Sequence, residues 1–217
     1  MKPLLTIVQL QTVAAKFAEI ETTYNEPSLY GVTDGKAVGT YLEHKFKVYL
    51  AEKYDYQHGN SASGIDLPSL DVDIKVTSIK QPQSSCPFKS ASQKIFGLGY
   101  HLLIFVYEKY DDHVNKTGRL NMQHTIFVDK ECTADFQTTK GLREILSREG
   151  NNDDIVAFII ERNLPVDEIG AHQLADQVLQ TTPLQGYLTI SNALQWRLQY
   201  SRVIEQAGTV AGISRVR

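Results

Sequence analysis

The chain has 217 residues, 42% hydrophobic and 22% charged, and its 22 Lys and Arg against 25 Asp and Glu leave a formal net charge of −3. A soluble chain of this length buries about 70% of its extended surface, enough for one sizeable core with no disulfide or metal staple, and its overall charge taken alone argues against a nucleic-acid partner. Cys86 and Cys132 lie far apart with no zinc-type spacing, which points to the reducing cytoplasm; no stretch approaches 18 apolar residues and no secretory leader pattern opens the chain, which argues against membrane and export.

Residues 4–24 carry Leu5, Val8, Val13, Phe17 and Ile20 at helical intervals and predict a helix stopped by Asn25-Glu26-Pro27. A second helix over about 36–53 aligns Val38, Leu42, Phe46 and Tyr49 on one stripe, with Glu43 just off it. From Tyr54 the period shortens: turn-rich segments surround Ile65-Asp66 at the end of a short strand, Leu67-Pro68-Ser69 reads as a turn, and Leu70 to Thr77 alternates. Val72, Ile74 and Val76 fall on one face of that strand; Asp71, Asp73, Lys75 and Thr77 fall on the other.

Next come a helix over 90–97, an apolar strand over 102–107, a polar stretch over 108–124 and a strand over 125–128. Helices are predicted at about 139–148, 153–162, 166–180 and 189–206. This order makes the fold mixed α/β, with a core over 1–150 and a helical C-terminal third over 151–217. The last two helices resemble a helix-turn-helix loosely. Asn192, Gln195, Arg197, Gln199 and Arg202 would suit DNA contact, while Leu194, Leu198 and Val203 favour packing and dimerisation.

Charge is unevenly spread. The window from Ile74 to Tyr107 contains no Asp or Glu but holds Lys75, Lys80, Lys89 and Lys94, so a mildly acidic protein carries a basic segment directly after its densest carboxylate cluster. In that cluster Asp66, Asp73 and Lys75 form the pattern D-x6-D-x-K. If residues 67–70 reverse the chain, all three side chains converge at one sheet edge. Two carboxylates that close repel unless a cation lies between them, and oxygen ligands select Mg²⁺ or Mn²⁺. A cation there can neutralise charge on a phosphoryl group, and the lysine can orient a nucleophilic water.

The stretch from Gly64 to Ser78, with a helix before it and a helix and strand after it, resembles the active-site region of the PD-(D/E)XK nucleases, and within them a type II restriction endonuclease. The likeness spans about residues 36–108. It implies a restriction-endonuclease-like core, a mixed central sheet flanked by helices, and a Mg²⁺-dependent cut (Mn²⁺ substituting) of double-stranded DNA at a short sequence by a homodimer serving restriction-modification. By the resemblance Asp66 is the first acid, Asp73 the second and Lys75 the catalytic lysine. Ile65 stands where the family has proline, and the acids are closely spaced, which leaves Asp71 as the alternative first acid.

Glu43 is a further candidate metal ligand, set against a plain pairing with Lys47 at i+4. Lys80, Lys89, Gln93 and Lys94 are candidate contacts to the DNA backbone, and Thr77 and Ser78 share that reading. Arg119 and Asn121, between Lys116 and His124, are of the types that read base edges, and Arg197 joins them from the C-terminal region. Rival readings are a repair nuclease or junction resolvase, a non-catalytic DNA-binding protein, a glycosyltransferase-type Asp71-Val72-Asp73, which lacks a Gly-rich nucleotide-binding unit, and a ββα-metal site of His113, Asn121 and His124, whose last two members lie too close in sequence.

Overall fold

A computed structural model describes residues 2–57, 59, 64–86, 89–191 and 196–217. Helix α1 (Ile7–Thr23) opens with a capping box in which the Thr6 hydroxyl accepts from Gln9 N and the Gln9 side chain accepts from Thr6 N. It buries Leu10, Val13, Ala14, Phe17 and Ala18, whereas Val8 and Ile20 are exposed, because the small alanines let this face approach the sheet closely. Strand β1 (Asn25–Glu26) and a short 3₁₀ turn lead to α2 (Gly35–Lys53), capped by Asp34 and burying Val38, Leu42, Phe46 and Leu50. Phe17, Phe46 and Phe105 meet with ring centroids 5.0–5.8 Å apart and tie both helices to the sheet.

Strand β2 (Val72–Ser78) is followed by β3 (Gln83–Ser85), the five-residue helix α3 (Ser92–Phe96), and the long strands β4 (His101–Asp112) and β5 (Thr117–Val128). Helices α4 (Phe136–Ser147), α5 (Asn152–Glu161) and α6 (Glu168–Gln180) come next, then β6 (Thr189–Ile190), β7 (Arg197–Gln199), α7 (Ser201–Gln206) and β8 (Ile213–Arg215). The main sheet runs β1-β5-β4-β2, with β8 also on β5, and only the β2–β4 pairing in it is parallel. A smaller antiparallel sheet runs β3-β7-β6. The mixed α/β class with a helix-flanked central sheet is as the sequence predicts.

The two faces of β4 enter two cores. Leu103, Phe105 and Tyr107 pack with α1 and α2, while Leu102, Ile104 and Val106 pack with Trp196, Leu198, Tyr200 and Val203, which accounts for the unbroken apolar run at 102–107. A third core joins α3 to α4, α5 and α6.

Two predicted elements are corrected. The polar stretch 108–124 is the far half of the β4–β5 hairpin, where Leu120 and Met122 turn inward between outward Arg119, Asn121 and Gln123. The predicted helix at 189–206 is two short strands and the six-residue α7. Trp196, Leu198 and Tyr200 are buried while Arg197 and Gln199 are exposed, a period of two that belongs to a strand. The helix-turn-helix expectation therefore loses its second helix; Asn192, Leu194 and Gln195 lie outside the described residues. Strands β7 and β8 pair back to β3 and β5, so the C-terminal region is joined to both sheets.

Candidate active site

The site is built by one tight reversal. Leu67 and Val72 form an antiparallel bridge, with Leu67 N donating to Val72 O at 2.9 Å and Val72 N to Leu67 O at 3.2 Å. Pro68 starts the 3₁₀ turn between them, and Asp71 closes it in the left-handed region at φ 52°. The reversal sets Asp66 against Asp73, whose carboxyls share a hydrogen bond. Ile74 N donates to Asp66 Oδ2 at 2.8 Å, and Lys75 Nζ lies 2.7 Å from Asp73 Oδ2. Gly59 N donates to Asp66 O at 3.1 Å, and a Cβ on Gly59 would lie 2.1 Å from Ile65 O, so only glycine permits this approach.

Asp66, Asp73, Lys75, Glu43 and Lys47 line one cavity of about 350 Å³ at the free edge of β2. Asp71 is exposed and does not line it; its carbonyl accepts from His101 N at 2.7 Å. The left-handed turn also takes Asp71 off the strand face of Asp73, which removes the geometric basis of a D-x-D reading.

Lys47 is the member that sequence reasoning missed. Its ammonium lies 2.7 Å from Glu43 Oε1, the i+4 pairing already considered, and 2.6 Å from Asp66 Oδ1 across the cleft. Glu43 thus faces the site through Lys47. Among the described residues no three His, Cys, Asp or Glu groups close into a metal cage. What the cleft offers is a pair of carboxylates forced together, all-oxygen donors with Asp73 buried and Asp66 half-buried, and this donor chemistry fits one hard divalent cation.

Burial and the Asp66 carboxyl push Asp73 up to about 7 against the pull of Lys75. Burial also opposes ionisation of Asp66, but hydrogen bonds from Asp73, Lys47 and Ile74 N hold it below the usual carboxylate range. The shared proton therefore sits on Asp73. A folded chain that holds a proton more tightly than the unfolded chain is most stable below the ordinary carboxylate range and loses that contribution as pH rises through about 7. In EDTA the thermal midpoint should fall between pH 6 and pH 8, and Asp73→Asn should remove most of that fall. An undiminished fall in the variant would place the titrating proton elsewhere.

Behind Asp73 the wall is buried and polar at its tips. The fully buried Tyr200 hydroxyl makes a short hydrogen bond with Ser84 Oγ, and Tyr100 Oη lies 3.7 Å from Cys86 Sγ. Burial raises the Tyr100, Tyr200 and Cys86 pKa values, so these groups stay neutral beside the carboxylates.

A larger groove of about 1,050 Å³ opens beside the same strand, with Lys36, Lys75, Lys80, Lys109 and Arg197 on its walls. Lys109 is paired with Asp111. Of the predicted DNA contacts, Lys80 and Arg197 line this groove, and Lys89 is exposed nearby in sequence. Gln93 and Lys94 do not fit that role: they are 7% and 4% exposed, Gln93 Nε2 donates to Leu98 O, and the Lys94 ammonium lies 5.9 Å from the Trp196 ring centroid. Thr77 is also inward, its hydroxyl bonded to Gln81 and Gln83 backbone atoms, where it pins the β2–β3 turn.

Arg119 and Asn121 pair with Tyr110 and Glu108 on the hairpin, whereas Asp73 pairs with Leu102. At the strand rise that separates Arg119 from the carboxylates by about 25 Å. His113 bonds Tyr30 and His124 bonds Arg215, so the ββα-metal reading has no assembled site.

The family model described as "Type II restriction enzyme NspV" matches residues 4–215. The curated type II restriction enzyme NspV of Nostoc sp. (strain ATCC 29411 / PCC 7524) is 65% identical over 213 residues, covering 98% of this chain and 97% of that protein. No solved structure matches.

Proposed function

The chain belongs to the NspV family of type II restriction enzymes, and is on that ground a site-specific deoxyribonuclease; we propose that it hydrolyses both strands of DNA with Mg²⁺ held by Asp66 and Asp73. The observation that carries the reading is the convergence of Asp66, Asp73 and Lys75 at the free edge of β2, opening onto a lysine-walled groove. When bound, the cation supplies Lewis-acid neutralisation of charge on the scissile phosphate, a role Mn²⁺ can also fill.

The chain's own groups do the rest. Lys47 and Ile74 N fix the Asp66 carboxylate in one orientation, so that an oxygen faces Asp73 without reorganisation. Lys75, fixed in turn by Asp73, presents its ammonium where it can orient the attacking water and contact a phosphate oxygen. The water oxygen bonds to phosphorus as it gives up a proton to solvent, in line with the departing O3′; the P–O3′ bond breaks, and O3′ takes a proton from solvent. The products are a 5′-phosphate and a 3′-hydroxyl. Glu43, held by Lys47, is a reserve carboxylate at the rim.

Among the described residues each chain carries one such centre, and cutting both strands together calls for two. A homodimer facing one duplex meets that need, and sedimentation at twice the chain mass would support it. No described helix is long and apolar enough to cross a membrane, and host DNA defence places the enzyme in the cytoplasm.

The test is digestion of a sequenced plasmid with Mg²⁺ and with EDTA. Discrete fragments that form only with the cation, and that ligate without prior phosphorylation, are expected. A smear or structure-dependent nicking would favour a repair or junction nuclease, and binding without cleavage would overturn catalysis.

A further inference from the structure

The small sheet β3-β7-β6 borders the groove beside β2. Its register pairs Gln83 with Gln199, Ser85 with Arg197 and Thr189 with Gln199, while Ser84 and Ile190 both meet Leu198. Because strand side chains alternate, this register sorts the sheet into two faces. Leu198 and Ile190 are buried in the core beneath β4, and Ser84 bonds the buried Tyr200. Gln83, Ser85, Thr189, Arg197 and Gln199 form the outer face.

That face is polar throughout and carries no carboxylate, in a chain whose net charge is −3. Among the described residues the side chains of Gln83, Arg197 and Gln199 make no hydrogen bond or ion pair, so their donors and acceptors are available. Gln83, Ser85 and Arg197 line the same groove as Lys75. A duplex seated in that groove therefore meets Lys75 together with Gln83, Ser85 and Arg197 of this sheet. A two-stranded ribbon such as the β3–β7 pair is narrow enough for the major groove, about 12 Å wide. Planar amide and guanidinium ends match what adenine and guanine present there: Arg spans guanine O6 and N7, and Gln spans adenine N6 and N7.

We infer that the outer face of β3-β7-β6 is the base-reading surface, with Arg197 taking a guanine and Gln83 and Gln199 taking adenines. The inference rests on the DNA-cleaving function proposed above and adds to it where sequence discrimination resides.

The test is a cycle between protein and base. The target is mapped by plasmid digestion, and duplexes bearing it are prepared with each guanine or adenine in turn replaced by its 7-deaza analogue, which lacks N7. Binding in Ca²⁺ is then measured for the wild type, Arg197→Ala, Arg197→Lys and Gln199→Ala. One guanine analogue should weaken wild-type binding by about 2- to 12-fold, half in free energy of the about 5- to 150-fold span of a bidentate contact, because O6 remains. Arg197→Ala should lose about the full span on the natural duplex and show little further loss on that analogue, because the partner of N7 is already gone. Arg197→Lys should not restore binding, since an ammonium lacks the fork. Gln199→Ala should behave likewise toward one adenine analogue.

Additive losses, full rescue by lysine, or a mapped target without G·C pairs would overturn the assignment while leaving the nuclease reading intact. A wild-type chain that yields no discrete fragments would overturn both.

Discussion

Lys75→Ala should lower the rate of DNA cleavage by about 10²–10⁴-fold, the range of a lost proton-handling or charge-stabilising group, while the protein still binds its target duplex in Ca²⁺. The geometry supports both halves. Lys75 lies on the edge strand with its ammonium 2.7 Å from Asp73 Oδ2 and opens onto both the carboxylate cleft and the groove. It is one of several basic side chains on that groove, so its loss removes one phosphate contact among many and should reduce the salt slope of binding by about 1. Cleavage has no such redundancy, because Lys47, the other lysine of the cleft, is held between Glu43 and Asp66. Lys75→Arg keeps the charge but spreads it over a planar fork, and should recover only part of the rate. Cutting by Lys75→Ala at the wild-type rate would remove Lys75 from the mechanism.

The sequence carried the catalytic reversal more fully than the surfaces around it. D-x6-D-x-K could be read because each part obeys a local rule: Leu67-Pro68-Ser69 turns, and Val72, Ile74 and Val76 alternate with Asp73 and Lys75. The role of Lys47 toward Asp66 could not, because it crosses between α2 and the turn, and helix spacing shows only its pairing with Glu43. Gln93 and Lys94 looked like exposed helix residues, yet α3 is five residues long and packed into the core it shares with α4, α5 and α6, so it has no broad solvent face. The small sheet was hidden for a related reason. Its strands are two or three residues long and β3 pairs with β7 across more than a hundred positions, while Leu194 and Leu198 at a spacing of four imitate a helix. The alternation from Trp196 to Tyr200 was the available signal. Charge tells a similar story: the lysine-rich window at 74–107 begins within β2, but of its four lysines Lys94 turns inward.

Asp66→Asn and Asp71→Asn should differ in cleavage rate by at least about 100-fold, which decides the first acid. Asp66 lines the cleft with its Oδ1 on Lys47, its Oδ2 on Ile74 N and Asp73 in contact. The amide removes the negative charge that draws in a cation, and its NH₂ group must face either the Lys47 ammonium or the Ile74 N–H, so both orientation and charge are lost. Cation binding measured by calorimetry without DNA should weaken in step with cleavage, which separates a ligand from a residue that only shapes the turn. Asp71 is exposed at φ 52° and outside the cleft. Asparagine tolerates the left-handed region well, so Asp71→Asn should keep its fold, its cation affinity and its rate. The reverse ranking, with Asp71→Asn inactive and Asp66→Asn active, would overturn Asp66 as the first acid. Because Asp71, Asp73 and Lys75 have the same parity along the chain, Lys75→Ala would still be inactive in that case, so a Lys75→Ala that cuts normally would overturn the whole constellation. The two experiments thus check one geometry from both of its ends.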